Sequence, residues 1–408
     1  MRPEELTRSP NLLAEHYTHF RVSERMLLTG HSHQAWPDRA LEGYRLAWRD
    51  AAAMADRKWG PAFEKAERVR RGYAELLVDD PGNFALAQNT HELLVRFLSA
   101  LPLQRRPRVV TTTGEFHTIR RQLGRLEEEG LEVVRVPTEP TDALTERLAD
   151  QVDDRTAAVL VSSVLFENAA IVPGLNRVAA ACHRSGVPLL VDGYHHLNVV
   201  PFSVREMGLE DAYVVGGGYK YCQLGEGNAF LRFPPDTSLR PVVTGWFAEF
   251  GVVVEGGAAA EGERGAEVAG PKPVPYGEGP VRFAGATYDP VSHYRAAEVF
   301  DFFQKEGLDP GLLRKVSQHQ VGLLVRRFDE LDADPNVVAR DGSISLSGTA
   351  GFLALRSPYA GRLVELLREA GVHSDHRGEI LRLGPAPYLS DRQLESAITA
   401  LDEALSRL

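Results

Sequence analysis

Two short apolar runs, each ending in a polar cluster, constrain this chain more than any other feature. Val187-Pro188-Leu189-Leu190-Val191 leads directly into Asp192, and Ala212-Tyr213-Val214-Val215 leads into Gly216-Gly217-Gly218-Tyr219-Lys220-Tyr221. Unbroken apolar runs of this length suit strands buried on both faces, the kind found in parallel sheets covered by helices. Open α/β sheets bind ligands beyond the carboxyl ends of their strands. Asp192 and Lys220 both fall at such ends, so the pattern predicts a fold and a site together.

The surrounding chain fits the same plan. From about residue 60 to 235, short apolar runs alternate with longer amphipathic stretches, the pattern of an α/β domain. Strands are expected at Phe84–Gln88, Arg108–Thr112, Glu132–Val136, Ala157–Ser162, Val187–Val191, Ala212–Val215 and Ala229–Phe233. Helices are expected at Ala62–Leu77, Glu115–Glu129 and Leu175–Arg184. The segment Gly251–Pro280, rich in Gly, Ala, Glu and Pro, reads as a loop or mobile insertion. Beyond it, Pro290–Glu306, Tyr359–Ala370 and Asp391–Leu405 read as helices and Ser343–Leu355 as strand pairs. The expected organisation is an amino-terminal segment (1–58), a large domain with a mostly parallel seven-stranded sheet (59–289), and a smaller α+β carboxyl-terminal domain (290–408).

Composition narrows the function. With 408 residues, 43% of them hydrophobic, the chain has enough material for a large core. A formal net charge of -10 argues against nucleic acid or an anionic membrane as the main partner. Cys182 and Cys222 are the only cysteines, which excludes a disulfide framework and fits a reducing cytoplasm. The start of the chain lacks signal-peptide character, and no apolar run is long enough to span a bilayer, so a cytoplasmic location is expected. No cluster has zinc spacing. His31 and His33 lack a nearby carboxylate or cysteine partner, and no metal is expected.

Asp192 and Lys220 point to pyridoxal 5'-phosphate. A carboxylate at a buried strand end can pair with a protonated pyridine nitrogen and make the ring an electron sink. A lysine in an apolar setting loses its proton readily and becomes a nucleophile able to hold the cofactor. The glycines between them allow close approach of the backbone to a bulky ligand.

With these residues in view, the chain resembles kynureninase, within the class-V aminotransferase group of fold-type-I pyridoxal phosphate enzymes, over most of its length. Asp192-Gly193-Tyr194-His195 is similar to the family's D-x-x-H, and Tyr219-Lys220-Tyr221 to its Y-K-Y. The resemblance implies that Asp192 holds the pyridine nitrogen, His195 lies close to the ring, Tyr219 reaches the phosphate and Lys220 carries the cofactor. Asn89-Thr90 resembles the phosphate-binding turn, although the same residues also suit a simple helix cap. Phe116 stands where the family stacks an aromatic ring on the cofactor, and Ser162 where it places a hydroxyl. Gly245-Trp246-Phe247 resembles G-W-W or G-W-F, and Ala286-Thr287 resembles G-T. In the family these contribute to the phosphate site, with the threonine coming from the neighbouring subunit, which implies a homodimer. Gly371-Val372-His373-Ser374-Asp375-His376-Arg377 followed by Leu381-Arg382-Leu383-Gly384 resembles G-V-x-x-D-x-R and I-R-F-G, which assigns Arg382 to the substrate α-carboxylate.

The departures cluster near the substrate. The family's G-N-S-L-G is replaced by Gly30-His31-Ser32-His33-Gln34, and its N-G-G-P-G by Gln223-Leu224-Gly225-Glu226-Gly227. The G-H after the tryptophan pair is replaced by Ala248-Glu249, and F-P-S-D by Phe116-His117-Thr118-Ile119. His31 and His33 are therefore expected at the substrate mouth, and Tyr219 is a candidate proton carrier. The implied reaction is hydrolysis of kynurenine, or a related aryl-oxo amino acid, to an aromatic acid and alanine. An aminotransferase shares its early steps. A cysteine desulfurase would need a thiol in the later half of the chain, where none exists after Cys222. A non-catalytic relative would have no need of Asp192, Lys220 and Arg382 together.

Overall fold

The computed structural model describes residues 1–250 and 273–408. Ahead of the main sheet runs the short β1 (Met26–Leu27), and the sheet itself contains β2 (Phe84–Ala87), β3 (Arg108–Thr112), β4 (Glu132–Val136), β5 (Thr156–Ser162), β6 (Leu189–Asp192), β7 (Tyr213–Gly217) and β8 (Ala229–Arg232). Their spatial order is β2-β8-β7-β6-β5-β3-β4. The pairs from β4 through β7 are parallel, and β8 runs antiparallel to both β7 and β2. The expected seven-stranded, mostly parallel sheet is therefore present.

β5 and β7 are buried at every position because both sheet faces are covered. Val159, Val161, Val191 and Val214 pack on one face with Val69, Tyr73 and Val178 from helices Trp59–Leu77 and Leu175–Arg184. Leu160, Leu190 and Val215 face the other way, against Leu93 and Phe97 of helix Thr90–Ser99 and Ile119 and Leu123 of helix His117–Glu128. Alternation along each strand thus feeds two cores, which removes the polar face and produces the continuous apolar runs. Each fully buried Val or Leu contributes about 2 kcal/mol through lost apolar exposure.

The register sets up the site. Ser162 lies opposite Asp192, and Asp192 opposite Val215. The carboxyl ends of β5 and β6 therefore finish level, β7 continues to Gly217, and the chain runs onward to Lys220.

The later part of the chain contributes β9 (Ala339–Arg340), β10 (Leu353–Arg356), β11 (Val372–His373), β12 (Asp375–Arg377) and β13 (Ile380–Leu383). Four of them form a second sheet in the order β12-β13-β10-β9, all antiparallel. Here the expected strand pairs over Ser343–Leu355 are corrected, because strand begins only at Leu353. Between Ser345 and Thr349 the hydroxyls bond locally, with Gly348 N–H donating to Ser345 Oγ at 3.1 Å and Thr349 Oγ1 to the Ser345 carbonyl at 3.0 Å. Such local bonds compete with a ladder. The helix expected from Glu115 starts at His117. Helices Arg39–Met54 and Pro310–Asp329 were not expected; the second is capped by Asp309 Oδ1, which accepts from Leu312 N–H at 2.9 Å.

The amino-terminal segment joins this later region. β1 pairs in parallel with β11, and Thr29 bridges to Gly384. Of the expected insertion at Gly251–Pro280, positions 251–272 lie outside the described residues; a short 3-10 turn begins at Gly279. Among the described residues, no helix is long and apolar enough to cross a membrane.

Candidate active site

A cavity of about 270 Å³ opens at the carboxyl ends of the central strands. Asn89, Thr90, Phe116, Asp192, His195, Tyr219 and Lys220 all line it, so seven of the sequence-predicted residues converge on one space. Four places deliver them: the start of helix Thr90–Ser99, the turn before helix His117–Glu128, and the segments leaving β6 and β7.

The glycines at and just beyond the end of β7 are required by packing. A Cβ at Gly217 would stand 2.5 Å from Tyr194 Oη, and the side chain of Leu224 crowds the same position at Gly218. Tyr194 thus lies tight against the strand, and Lys220 is held at its end.

Lys220 is 4% exposed. Its Nζ lies 2.7 Å from His195 Nε2 and is enclosed by the rings of Tyr194 at 5.0 Å, Phe116 at 5.1 Å and Tyr219 at 5.6 Å. Burial lowers its pKa to about 7; Asp192 opposes the shift, and Arg382 and Arg377 add to it. Burial likewise raises the pKa of Asp192, against the Tyr194 N–H that donates to Oδ1 at 2.9 Å and the nearby Lys220. His195 is pushed well below its ordinary value by burial first and Lys220 second, so its ring is neutral.

At the helix start, Asn89 Oδ1 accepts from Glu92 N–H at 3.0 Å, an N-cap. Phosphate would meet the first-turn N–H groups of Thr90 and His91, which have no intrahelical partner and belong to cavity-lining residues. Tyr219 stacks on His33 with ring centroids 5.1 Å apart, and burial raises its pKa.

Ser162 is committed elsewhere. Its Oγ donates to Glu115 Oε2 at 2.6 Å and its N–H donates to Glu115 Oε1 at 3.2 Å, while Thr112 Oγ1 donates to Oε1 at 2.6 Å. Glu115 is 3% exposed, and burial raises its pKa to about 7 despite these donors. Sequence reasoning missed this carboxyl because a glutamate ahead of a helix ordinarily serves its dipole. The available signal was its place directly after an apolar strand and a glycine.

Trp246 and Thr287 do not line this cavity. Thr287 borders a second one of about 450 Å³, and Trp246 is 57% exposed, packed edge-on against Phe247 and Phe250. Arg382 is buried with its fork already engaged: Nε and Nη2 donate to Asp375 at 2.8 and 2.6 Å, and Nη1 to the Phe166 carbonyl at 2.8 Å. The two histidines separate. His33 is exposed beside Tyr219, whereas His31 is fully buried, with Nε2 2.8 Å from Asp375 Oδ1. His31 therefore does not stand at the open mouth, because it is fully buried against Asp375 of β12. Among the described residues, no group of three or more metal-ligating side chains gathers.

The chemistry of this donor set fits pyridoxal phosphate: a buried amine poised near neutrality, a carboxylate at a strand end, an aromatic ring beside the amine, and a helix start. No family model matches the chain. The uncharacterized aminotransferase YcbU of Bacillus subtilis is 23% identical over 367 residues, spanning 88% of each chain. The solved structure of a C-DES mutant, with glycine covalently linked to its pyridoxal phosphate cofactor, superposes with a TM-score of 0.81 at 17% identity, covering 95% of this chain and 98% of that one. The apo cysteine desulfurase of Thermococcus onnurineus gives a TM-score of 0.78 at 16% identity, covering 100% of this chain and 99% of that one. The chain has the α/β fold of these proteins, with its large mixed sheet and smaller carboxyl-terminal domain.

Proposed function

We propose that the chain is a pyridoxal 5'-phosphate-dependent hydrolase of the kynureninase type. It would cleave the β–γ carbon bond of L-kynurenine or a related aryl-oxo amino acid, with one water, to an aromatic acid and L-alanine. The observation that carries this reading is Lys220: a fully buried amine with a pKa near 7, sharing with Asp192 a cavity lined by Phe116, His195 and Tyr219.

Bound in this cavity, the cofactor supplies an electron sink for a carbanion at the substrate α-carbon. Asp192 would hold the pyridine nitrogen, with Phe116 and His195 against the ring. Asn89, Thr90 and Tyr219 would serve the phosphate end, whereas the Ser162 hydroxyl is engaged by Glu115. Arg382 would orient the α-carboxylate, and the Lys220 amine would take the α-proton and return it. Tyr219 is placed to carry a proton for the later steps. His33, exposed and stacked on Tyr219, would stand at the substrate side. Trp246 and Thr287 would complete the phosphate site of a second copy in a homodimer; the exposed apolar side chains of Phe63, Val243 and Trp246 suit a surface of that kind.

A second reading, transamination, is favoured by the name of the Bacillus relative, which spans most of this chain. Desulfurase chemistry has weaker support here, since burial raises both thiols to about 12 and no cysteine follows Cys222. The test is an absorbance spectrum of the purified protein, followed by addition of L-kynurenine with anthranilate fluorescence and alanine measured. Anthranilate with equimolar alanine supports the hydrolase. Bleaching of the cofactor band without anthranilate points to transamination, and a protein that does not take up the cofactor overturns the Lys220 assignment.

A further inference from the structure

The family resemblance leaves unexplained why a fully buried histidine occupies position 31, within a segment that departs from the family pattern. His31 Nε2 meets Asp375 Oδ1 at 2.8 Å, and the same oxygen accepts Arg382 Nε–H at 2.8 Å while Oδ2 accepts Nη2–H at 2.6 Å. The three side chains form a continuous line of hydrogen bonds from the amino-terminal segment to the guanidinium proposed to hold the substrate carboxylate. His31 is 0% exposed and Arg382 2%.

The geometry also fixes the tautomer. Asp375 accepts from Arg382 and so offers His31 only lone pairs, which requires His31 to donate from Nε2. Its Nδ1 is buried and meets no hydrogen-bond partner among the described residues, and a methyl at Gly384 would overlap it. Burial holds the ring below its ordinary pKa, at about 4, so it stays neutral at physiological pH. Arg377, 3.6 Å from Asp375 Oδ2, is a second cation on the same carboxylate.

We propose that His31 is a positioning residue for amino-acid substrates. By donating to Asp375 it fixes that carboxylate against the Nε edge of Arg382, which turns the remaining N–H donors of the guanidinium toward the α-carboxylate. A planar fork gains specificity only when its plane is fixed. The role is carboxylate recognition, and it rests on the proposed amino-acid substrate.

The experiment measures binding of L-alanine and L-alaninamide to the cofactor-loaded protein by the change in cofactor absorbance, which needs no turnover. The parent is expected to prefer alanine. His31→Leu should lower the alanine-to-alaninamide affinity ratio roughly tenfold, the scale of a lost hydrogen bond to a charged group. His31→Gln, which restores a donor, should recover most of the ratio. If His31→Leu does not fold, His31→Asn, whose shorter amide does not reach Asp375, serves in its place with the same expected fall. A parent that prefers alanine alongside a Leu or Asn variant with an unchanged ratio overturns the positioning role alone. A parent with no preference overturns the Arg382 assignment and this inference together.

Discussion

Lys220 in the cofactor-free protein should react with an aldehyde at pH values where ordinary lysines are inert. Its pKa falls from 10.5 to about 7, chiefly through burial. A shift of that size corresponds to on the order of 5 kcal/mol in favour of the neutral amine. At pH 7 about half of the Lys220 side chains then carry a free amine, against roughly one in three thousand for a solvated lysine. The assay is the rate of covalent attachment of pyridoxal to the cofactor-free protein, followed by absorbance from about pH 5 to about pH 10. Pyridoxal is preferred to its phosphate, whose own second ionisation near 6 would distort the profile. The rate should rise to an inflection near 7 and level off above it. Replacing Arg382 with leucine removes a charge that lowers the Lys220 pKa, and should move the inflection upward. A rate in the parent that climbs without inflection through about pH 9 would refute the claim that burial governs this amine.

The same shift has a thermodynamic face. The unfolded chain protonates Lys220 below 10.5 and the folded chain only below about 7, so its contribution to stability declines as pH drops through that window. Lys220→Met should therefore unfold at higher urea than the parent at pH 7, by on the order of a few kcal/mol, with the margin narrowing toward pH 10; a constant margin would contradict this. Glu115 has the opposite sense. The unfolded chain releases its proton near 4.5 and the folded chain near 7, so its contribution declines as pH rises between those values. Glu115→Gln should show a smaller drop in urea midpoint across that range than the parent, and an equal drop would count against a buried protonated carboxyl. Replacing both Cys182 and Cys222 with alanine should change turnover less than about threefold, since neither buried thiol ionises at neutral pH; abolished turnover would restore thiol chemistry as a reading.

Local signals carried much of the site. Ala157–Ser162 and the runs before Asp192 and Lys220 were legible because strands buried on both faces leave unbroken apolar stretches. Phe116 and Asn89 were legible only through their likeness to known motifs, and the Asn89 side chain proved to cap its helix as well. What failed was nonlocal. His31 has no partner nearby in sequence; its carboxylate lies 344 residues away. Glu115 gave a helix-start signal because its burial depends on Thr112 and on Ser162 in another strand. The Ser345–Thr349 stretch has hydroxyl-rich residues that satisfy one another in turns, a competition that strand periodicity does not register.

The pairing of β1 with β11 imposes an order on how the molecule comes into being. Met26 is made before the whole central sheet, and its strand partner Val372 only after it. The opening segment must wait, unpaired and with Leu27 and Leu28 lacking their final cover, while that sheet is synthesised. Only when both regions meet does the carboxylate at Asp375 acquire His31. A nascent chain that has not yet reached Val372 therefore already holds Lys220, while the contact between His31 and Asp375 is still unmade.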